Sequence, residues 1–177
     1  MDDFTIQVFQ SEIETQCKFV LLAASDLDSL LNTPPHQDFQ AEHTTRIWCA
    51  LQTILVSAAN ISKLLWGSKA KDEGPREKLR DSIKIDKTSP LHSKRVRNAF
   101  EHFDEFIDAM PASIYVGRNI GPPGMIQIGN ETPDTRFGQF DPASGDLTFW
   151  NRSTSLNAIT QEVARILPLI RGQLASR

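Results

Sequence analysis

Cysteine is scarce in this chain: its 177 residues include two, Cys17 and Cys49, with no Cys-x-x-Cys pair. Isolated thiols argue against a disulfide scaffold and a zinc finger, and they lead to the expectation of reduced cysteines in a cytoplasmic protein. Long, purely apolar runs are missing too. One of the longest, residues 19–24, is far short of the ~20 residues that span a bilayer. The start of the chain lacks positive charge: Met1-Asp2-Asp3 is acidic and no apolar h-region comes after it, unlike a secretory signal. Internal repeats and low-complexity tracts are also absent.

What is present is an ordinary globular composition, 40% hydrophobic and 23% charged, on a chain long enough for one domain with a real core. The 19 Lys and Arg against 22 Asp and Glu give −3, which as an average argues against a general nucleic-acid coat protein. The average conceals an uneven distribution. Residues 1–62 carry −6, residues 63–97 carry +6 and residues 98–177 carry −3, so 11 of the 19 positive charges fall in one short window. A local basic segment of this kind can contact an anion.

Through residue 110 the hydrophobic pattern is helical. Phe9, Ile13, Cys17, Val20, Leu21, Leu27 and Leu31 recur at helical spacing over residues 4–31, and Pro34-Pro35 ends the run. A second helix is expected over residues 38–65, with Ile47, Trp48, Leu51, Leu55, Ala58, Ala59 and Leu65 on its buried stripe. Ser57, Asn60 and Ser62 read as solvated positions or as hydroxyls bonded back to the helix. Pro75 opens a short helix to about residue 83, and Ser89-Pro90 is a start signal for a helix over residues 89–110. Val96, Ala99, Phe100, Phe103, Ile107 and Met110 supply the apolar face of that helix.

After Pro111 the character changes, with six of nine glycines and five of ten prolines between residues 111 and 150. Short β-like runs occupy residues 114–116, 125–128, 136–140 and 147–150, and the stretch from Asp141 to Asp146 reads as a hairpin turn. A final helix over residues 153–173 carries Leu156, Ile159, Val163, Ile166, Leu167 and Ile170, kinked at Pro168. The expected fold is mainly α: one helical-bundle domain over residues 1–177, with residues 111–152 as a β-rich appendage before the C-terminal helix.

The stretch from Arg95 to Glu105 concentrates the chemistry. At about 100° per residue, Asn98, Glu101, His102 and Glu105 gather opposite the apolar face, with Arg97 on one flank. Asn98 and His102 are four apart and can touch. An imidazole near neutrality can take a 2′-hydroxyl proton or give one to a leaving oxygen. A guanidinium can hold the phosphate and offset charge in the crowded phosphorane. One helix supplies one histidine, so acid-plus-base catalysis calls for a second copy across a two-fold axis. Glu101, Asp104, Glu105 and Asp108 crowd the same helix with negative charge, which raises a histidine pKa and opposes a phosphate.

The helix bearing Arg97-Asn98-Ala-Phe-Glu-His102 resembles the HEPN domain family (higher eukaryotes and prokaryotes nucleotide-binding). These are helical bundles with an Arg, four to six intervening residues and a His, often with a polar residue directly after the Arg. The resemblance implies a metal-independent endoribonuclease that needs no cofactor and acts on RNA as a homodimer, in toxin–antitoxin or defence systems. It makes Arg97 and His102 the catalytic pair and Asn98 an auxiliary. Arg95 also meets the spacing, but Val96 comes directly after it, so it ranks second and joins Lys94 and Lys87 as RNA-contacting residues. An antitoxin or regulatory protein is then a partner, and no membrane is. Other HEPN members have no activity and serve as protein- or nucleotide-binding modules, which is the alternative reading; a helical adaptor that docks a partner through the β-appendage is a third.

The remaining features are weaker. His36, Asp38, Glu42 and His43 fit no standard metal-ligand spacing and read as a solvated loop and helix start. Gly117, Gly121 and Gly124 around Pro122-Pro123 indicate a turn, not a phosphate cradle. Trp48 and Trp66 are expected in the core and Trp150 at a strand end. Lysines 63, 69, 71, 78, 84, 87 and 94 either guide RNA or simply solvate loops.

Overall fold

A computed structural model describes residues 1–33, 35–69, 73–93, 103–108, 118–121, 138–149 and 152–176. The chain divides into two compact units. One comprises Met1–Ser93 with Ala158–Arg177, the other Lys94–Asn157.

The first unit is built on two long helices, α1 (Asp3–Asn32) and α2 (Gln40–Trp66). Asp2 caps α1, accepting from the Thr5 amide at 2.7 Å and the Thr5 hydroxyl at 3.0 Å, which satisfies donors that a helix start leaves open. Ile6, Ile13, Cys17, Val20, Ala23 and Leu27 are buried along one stripe of α1. Every residue expected on the buried stripe of α2 is buried. The two helices form a hairpin, fastened where the Asn60 amide donates to the Gln16 side chain at 3.2 Å. Ser57 and Ser62, expected as solvated positions or as hydroxyls bonded back to the helix, are buried, at 4% and 2% exposure. Their small side chains sit within the packed face of α2. Within Gln37–Trp66 an 18-residue window with a mean hydropathy of 1.3 is apolar enough by length and composition to cross a bilayer, yet 61% of that window is buried inside the fold. Packing accounts for its apolarity.

The end of α2 is closed by arginines. The last carbonyls of any helix lack intrahelical partners. Here Arg76 donates to the carbonyls of Lys63 and Leu64, and Arg80 donates to Leu65 at 2.8 Å and to Glu73 at 2.9 Å. Positive charge is favourable at this pole of the helix dipole. A short helix, α3 (Glu77–Ser82), carries Arg80 into place and buries Leu79. Arg76 also lies over the Phe9 ring at 5.0 Å, a cation–π contact.

Ser89 does cap a helical turn, accepting from the Leu91 amide at 3.3 Å. The turn is a single 3₁₀ segment, Pro90–His92, and Ser93 leaves helical geometry at φ −63°, ψ 118°. The unbroken helix expected over residues 89–110 is therefore corrected. Leu91 is buried and the His92 ring meets Trp66 at 4.9 Å, so this turn is anchored by packing.

In the second unit, helix α4 (Phe103–Asp108) precedes a four-stranded sheet of β1 (Arg118–Ile120), β2 (Gly138–Asp141), β3 (Asp146–Phe149) and β4 (Arg152–Ser155), in that order. The β2–β3–β4 ribbon is antiparallel, while β1 pairs with β2 in parallel, Arg118 opposite Gly138. The turn expected at Asp141–Asp146 is present. Asp141 accepts from the Ala143 amide and the Ser144 hydroxyl, both at 3.0 Å, and Gly145 adopts φ +73°. The expected helix start at residue 153 is corrected, because 152–155 pair with β3 and the Thr148 and Ser153 hydroxyls meet at 2.7 Å. The final helix, α5 (Leu156–Ala175), begins only afterwards and continues through Pro168. The six residues expected on its apolar face are all buried. The protein is thus mainly helical, with a small largely antiparallel sheet before the C-terminal helix. The expected strands at 114–116 and 125–128, and Trp150, lie outside the described residues.

Candidate functional site

Arg95, Arg97, Asn98 and His102, together with Lys94, lie outside the described residues, which bracket them on both sides. Upstream, the chain reaches the motif from the buried turn at Leu91 and the extended Ser93. Downstream, α4 carries Asp104, Glu105 and Asp108, all exposed. Exposed carboxylates are screened by water and salt beyond about 10 Å, so their opposition to a phosphate acts at short range only. Asp104 and Glu105 also lie in the first turn of α4, where the helix dipole favours an acid.

The basic segment is less available to an anion than its count suggests. Arg76 and Arg80 are engaged with backbone carbonyls at the end of α2. Lys87, expected to contact RNA, forms an ion pair with Glu73 at 2.5 Å, and this bond holds the Glu73 carboxyl below its usual range. Its side chain remains 65% exposed, so the pair can open to a phosphate at small cost. Lys84 is exposed, in a left-handed backbone conformation at φ 52°.

A second feature has no counterpart among the sequence expectations. On one side of the α1–α2 hairpin lies a groove of about 850 Å³. Its α1 wall includes Phe19, Leu22 and Asp26, and its α2 wall includes Glu42, Arg46 and Cys49. Phe39, also in the lining, is 59% exposed and Leu22 64% exposed. The signal was in the sequence: the apolar run over residues 19–24 surrounds α1 and cannot all face one stripe. Val20 and Ala23 enter the core, whereas Phe19 and Leu22 face outward. His36 sits in this lining and bonds Asp38 at 3.2 Å, both side chains being well exposed. Among the described residues no group of three or more His, Cys, Asp or Glu is arranged to hold a metal ion.

The two cysteines differ sharply. Cys17 is fully buried in α1, and burial pushes its thiol up to about 12. Cys49 is exposed on the groove wall.

Compared with protein-family models, curated proteins and solved structures, the chain matches none of them. The likeness to the HEPN family therefore stands on the residue pattern from Arg97 to His102.

Proposed function

We propose that the protein is a metal-independent endoribonuclease of HEPN type, a toxin or defence component whose composite site forms from two copies of the chain. The observation that carries this reading is the order Arg97-Asn98, three residues, His102 within a mainly helical protein. In the proposed reaction His102 of one copy takes the proton from a ribose 2′-hydroxyl, and the oxygen attacks the adjacent phosphorus. The 5′-oxygen leaves with a proton from the second imidazole. The products are a 2′,3′-cyclic phosphate and a free 5′-hydroxyl. Arg97 offsets the charge of the phosphorane, Asn98 orients the imidazole, and Lys87, Lys94 and Arg95 hold the flanking phosphates.

The test is incubation with single-stranded RNA in excess EDTA, beside His102→Ala and Arg97→Ala. Wild type cleaves to cyclic-phosphate ends, and each variant loses at least ~100-fold, the lower range for a general acid–base group. No cleavage, or cleavage unchanged in the variants, overturns the reading. Light scattering must show a dimer, because a strict monomer cannot build the composite site.

The alternative, a non-catalytic HEPN-like module that binds a protein or nucleotide, is favoured by one observation. Exposed apolar side chains flank a groove, and such patches mark interaction surfaces on soluble proteins.

A further inference from the structure

Glu73 lies among the basic groups of the segment after α2. Its carboxylate accepts from the Lys87 ammonium at 2.5 Å, and the Arg80 guanidinium and the His92 ring also act on it electrostatically. Asp86, in the same segment, differs: its carboxylate turns to the Thr88 amide and hydroxyl beside it. Glu73 is anchored through its backbone. Arg80, buried at 9% exposure, donates to the Glu73 carbonyl at 2.9 Å and to the Leu65 carbonyl at 2.8 Å. His92 is fixed as well, by the ring contact with Trp66 at 4.9 Å. The Trp66 indole N–H is buried with no hydrogen-bond partner among the described residues, so this corner keeps a spare donor. Arg80 on α3, Lys87 beyond it and His92 in the 3₁₀ turn thus converge on one carboxylate, all within the helical unit.

Donors that hold a carboxylate also hold a phosphate oxygen. The Lys87 side chain is 65% exposed and that of Glu73 30% exposed, so an incoming group can reach the pair. Ion pairs in contact with solvent are weak, which makes the carboxylate a displaceable occupant. We infer that Lys87, Arg80 and His92 form a phosphate-binding site that Glu73 fills from within, and that a phosphate group of a ligand displaces the Glu73 carboxylate. Occupancy by Glu73 lowers the apparent affinity by the fraction of molecules whose site is open, so this side chain sets how tightly the segment holds phosphate. For its ligand the inference rests on the proposed action on RNA, whose backbone supplies phosphodiesters; free phosphate is the other source of the same chemistry.

The test uses the full-length chain and a labelled single-stranded oligonucleotide with 2′-O-methyl groups, which offers phosphates but no 2′-hydroxyl to attack. Binding is read by fluorescence anisotropy. Glu73→Gln is expected to tighten binding about threefold, in keeping with the weakness of an exposed pair. Glu77→Gln removes the same charge from an exposed position on α3 and is expected to change binding by less than ~1.5-fold at about 0.1 M salt, where distant charges are screened. Lys87→Gln in the Glu73→Gln background abolishes the gain. It also lowers the slope of log affinity against log salt by about 0.7, one phosphate contact on a single strand. Inorganic phosphate at constant ionic strength separates the two sources: if it displaces the oligonucleotide from the Glu73→Gln protein, free phosphate fills the site, and if it does not, the site is one for phosphodiesters. An unchanged Tm checks that the variants stay folded, since Arg80 bonds the Glu73 backbone and not its side chain. Equal effects of Glu73→Gln and Glu77→Gln, a gain that survives Lys87→Gln, or no binding by any of these proteins overturns the inference. If the oligonucleotide responds as expected while ordinary RNA is not cleaved, the site stands and the proposed activity fails. If RNA is cleaved while Glu73→Gln and Glu77→Gln bind alike, the site fails alone.

Discussion

Gly145 sits where no other residue is comfortable. Its φ of +73° favours glycine, and a Cβ there would lie 2.4 Å from the Asn157 amide nitrogen. Asn157 itself donates to the Ser144 carbonyl at 3.2 Å, and the Leu156 amide donates to Gly145 at 2.9 Å. The turn and the start of α5 are thereby fixed to each other. Gly145→Ala is expected to destabilise by about 2 kcal/mol, combining left-handed strain with the displaced amide. In denaturant titrations, Gly145→Ala should cost less in an Asn157→Ala background, because the clash is gone. Additive effects would refute the steric account. The turn itself was legible from Asp141, Pro142 and Gly145, since turn chemistry is local. The contact with Asn157 was not, because it depends on where β4 returns the chain. The roles of Arg76 and Arg80 were hidden for the same reason. Sequence records their charge, whereas their partners are carbonyls brought near by folding.

The helices were legible wherever burial kept to one clear period. The stripes of α2 and α5 match expectation residue by residue, and Ile13, Cys17, Val20 and Leu27 do so on α1. Gln10, at 0% exposure, departs from the pattern because the Ser82 hydroxyl accepts from its amide at 3.1 Å. That bond offsets the cost of burying the amide nitrogen, while the Gln10 Oε1 is buried with no hydrogen-bond partner among the described residues. Strand β4, Arg-Ser-Thr-Ser, is illegible in sequence because it has no apolar alternation, and pairing with β3 defines it. The Ser89-Pro90 signal marks a real helical start but says nothing of how far the helix extends. Pro168 supplies the prediction at this scale. It lies inside α5 on an exposed position, where it withholds a backbone donor from the preceding turn. Pro168→Ala should stabilise the protein by about 1 kcal/mol or more, read as a higher Tm, and a lower Tm would show that the helix depends on its proline.

For the molecule as a whole, carboxylates set the response to acid. Glu14 in α1 accepts from Lys18 at 2.8 Å and from Arg171 in α5 at 3.1 Å, and these bonds hold its carboxyl below the usual range. Glu162 is held down by Arg165, Glu73 by Lys87 and Asp86 by Thr88. A carboxyl with a depressed folded pKa adds stability that is complete above its unfolded value, about 4.3 for Glu, and is lost as pH falls through the folded value. Thermal melts should therefore be nearly level from pH ~7 to about 5 and fall below about 4. Glu14→Gln should shrink that fall; an identical acid response would show that the bond to Arg171 contributes nothing. The candidate site is a residue pattern alone, Arg97, Asn98 and His102 being close neighbours in sequence and lying outside the described residues. The groove was legible only in part: the apolar run over residues 19–24 signals outward-facing side chains, but the groove itself exists only when α1 and α2 are side by side.

The Ser89 hydroxyl bonds the Glu162 carboxylate, and this has a consequence for how the chain is assembled. The helical unit is left after Ser93 and re-entered at Ala158, so departure and return are each four residues from a direct bond. Residues 94–157 thus form the second unit between those two points of the sequence. The Arg97–His102 pattern falls within residues 94–157 and the groove within the rest of the chain, so substitutions in one leave the residues of the other unchanged.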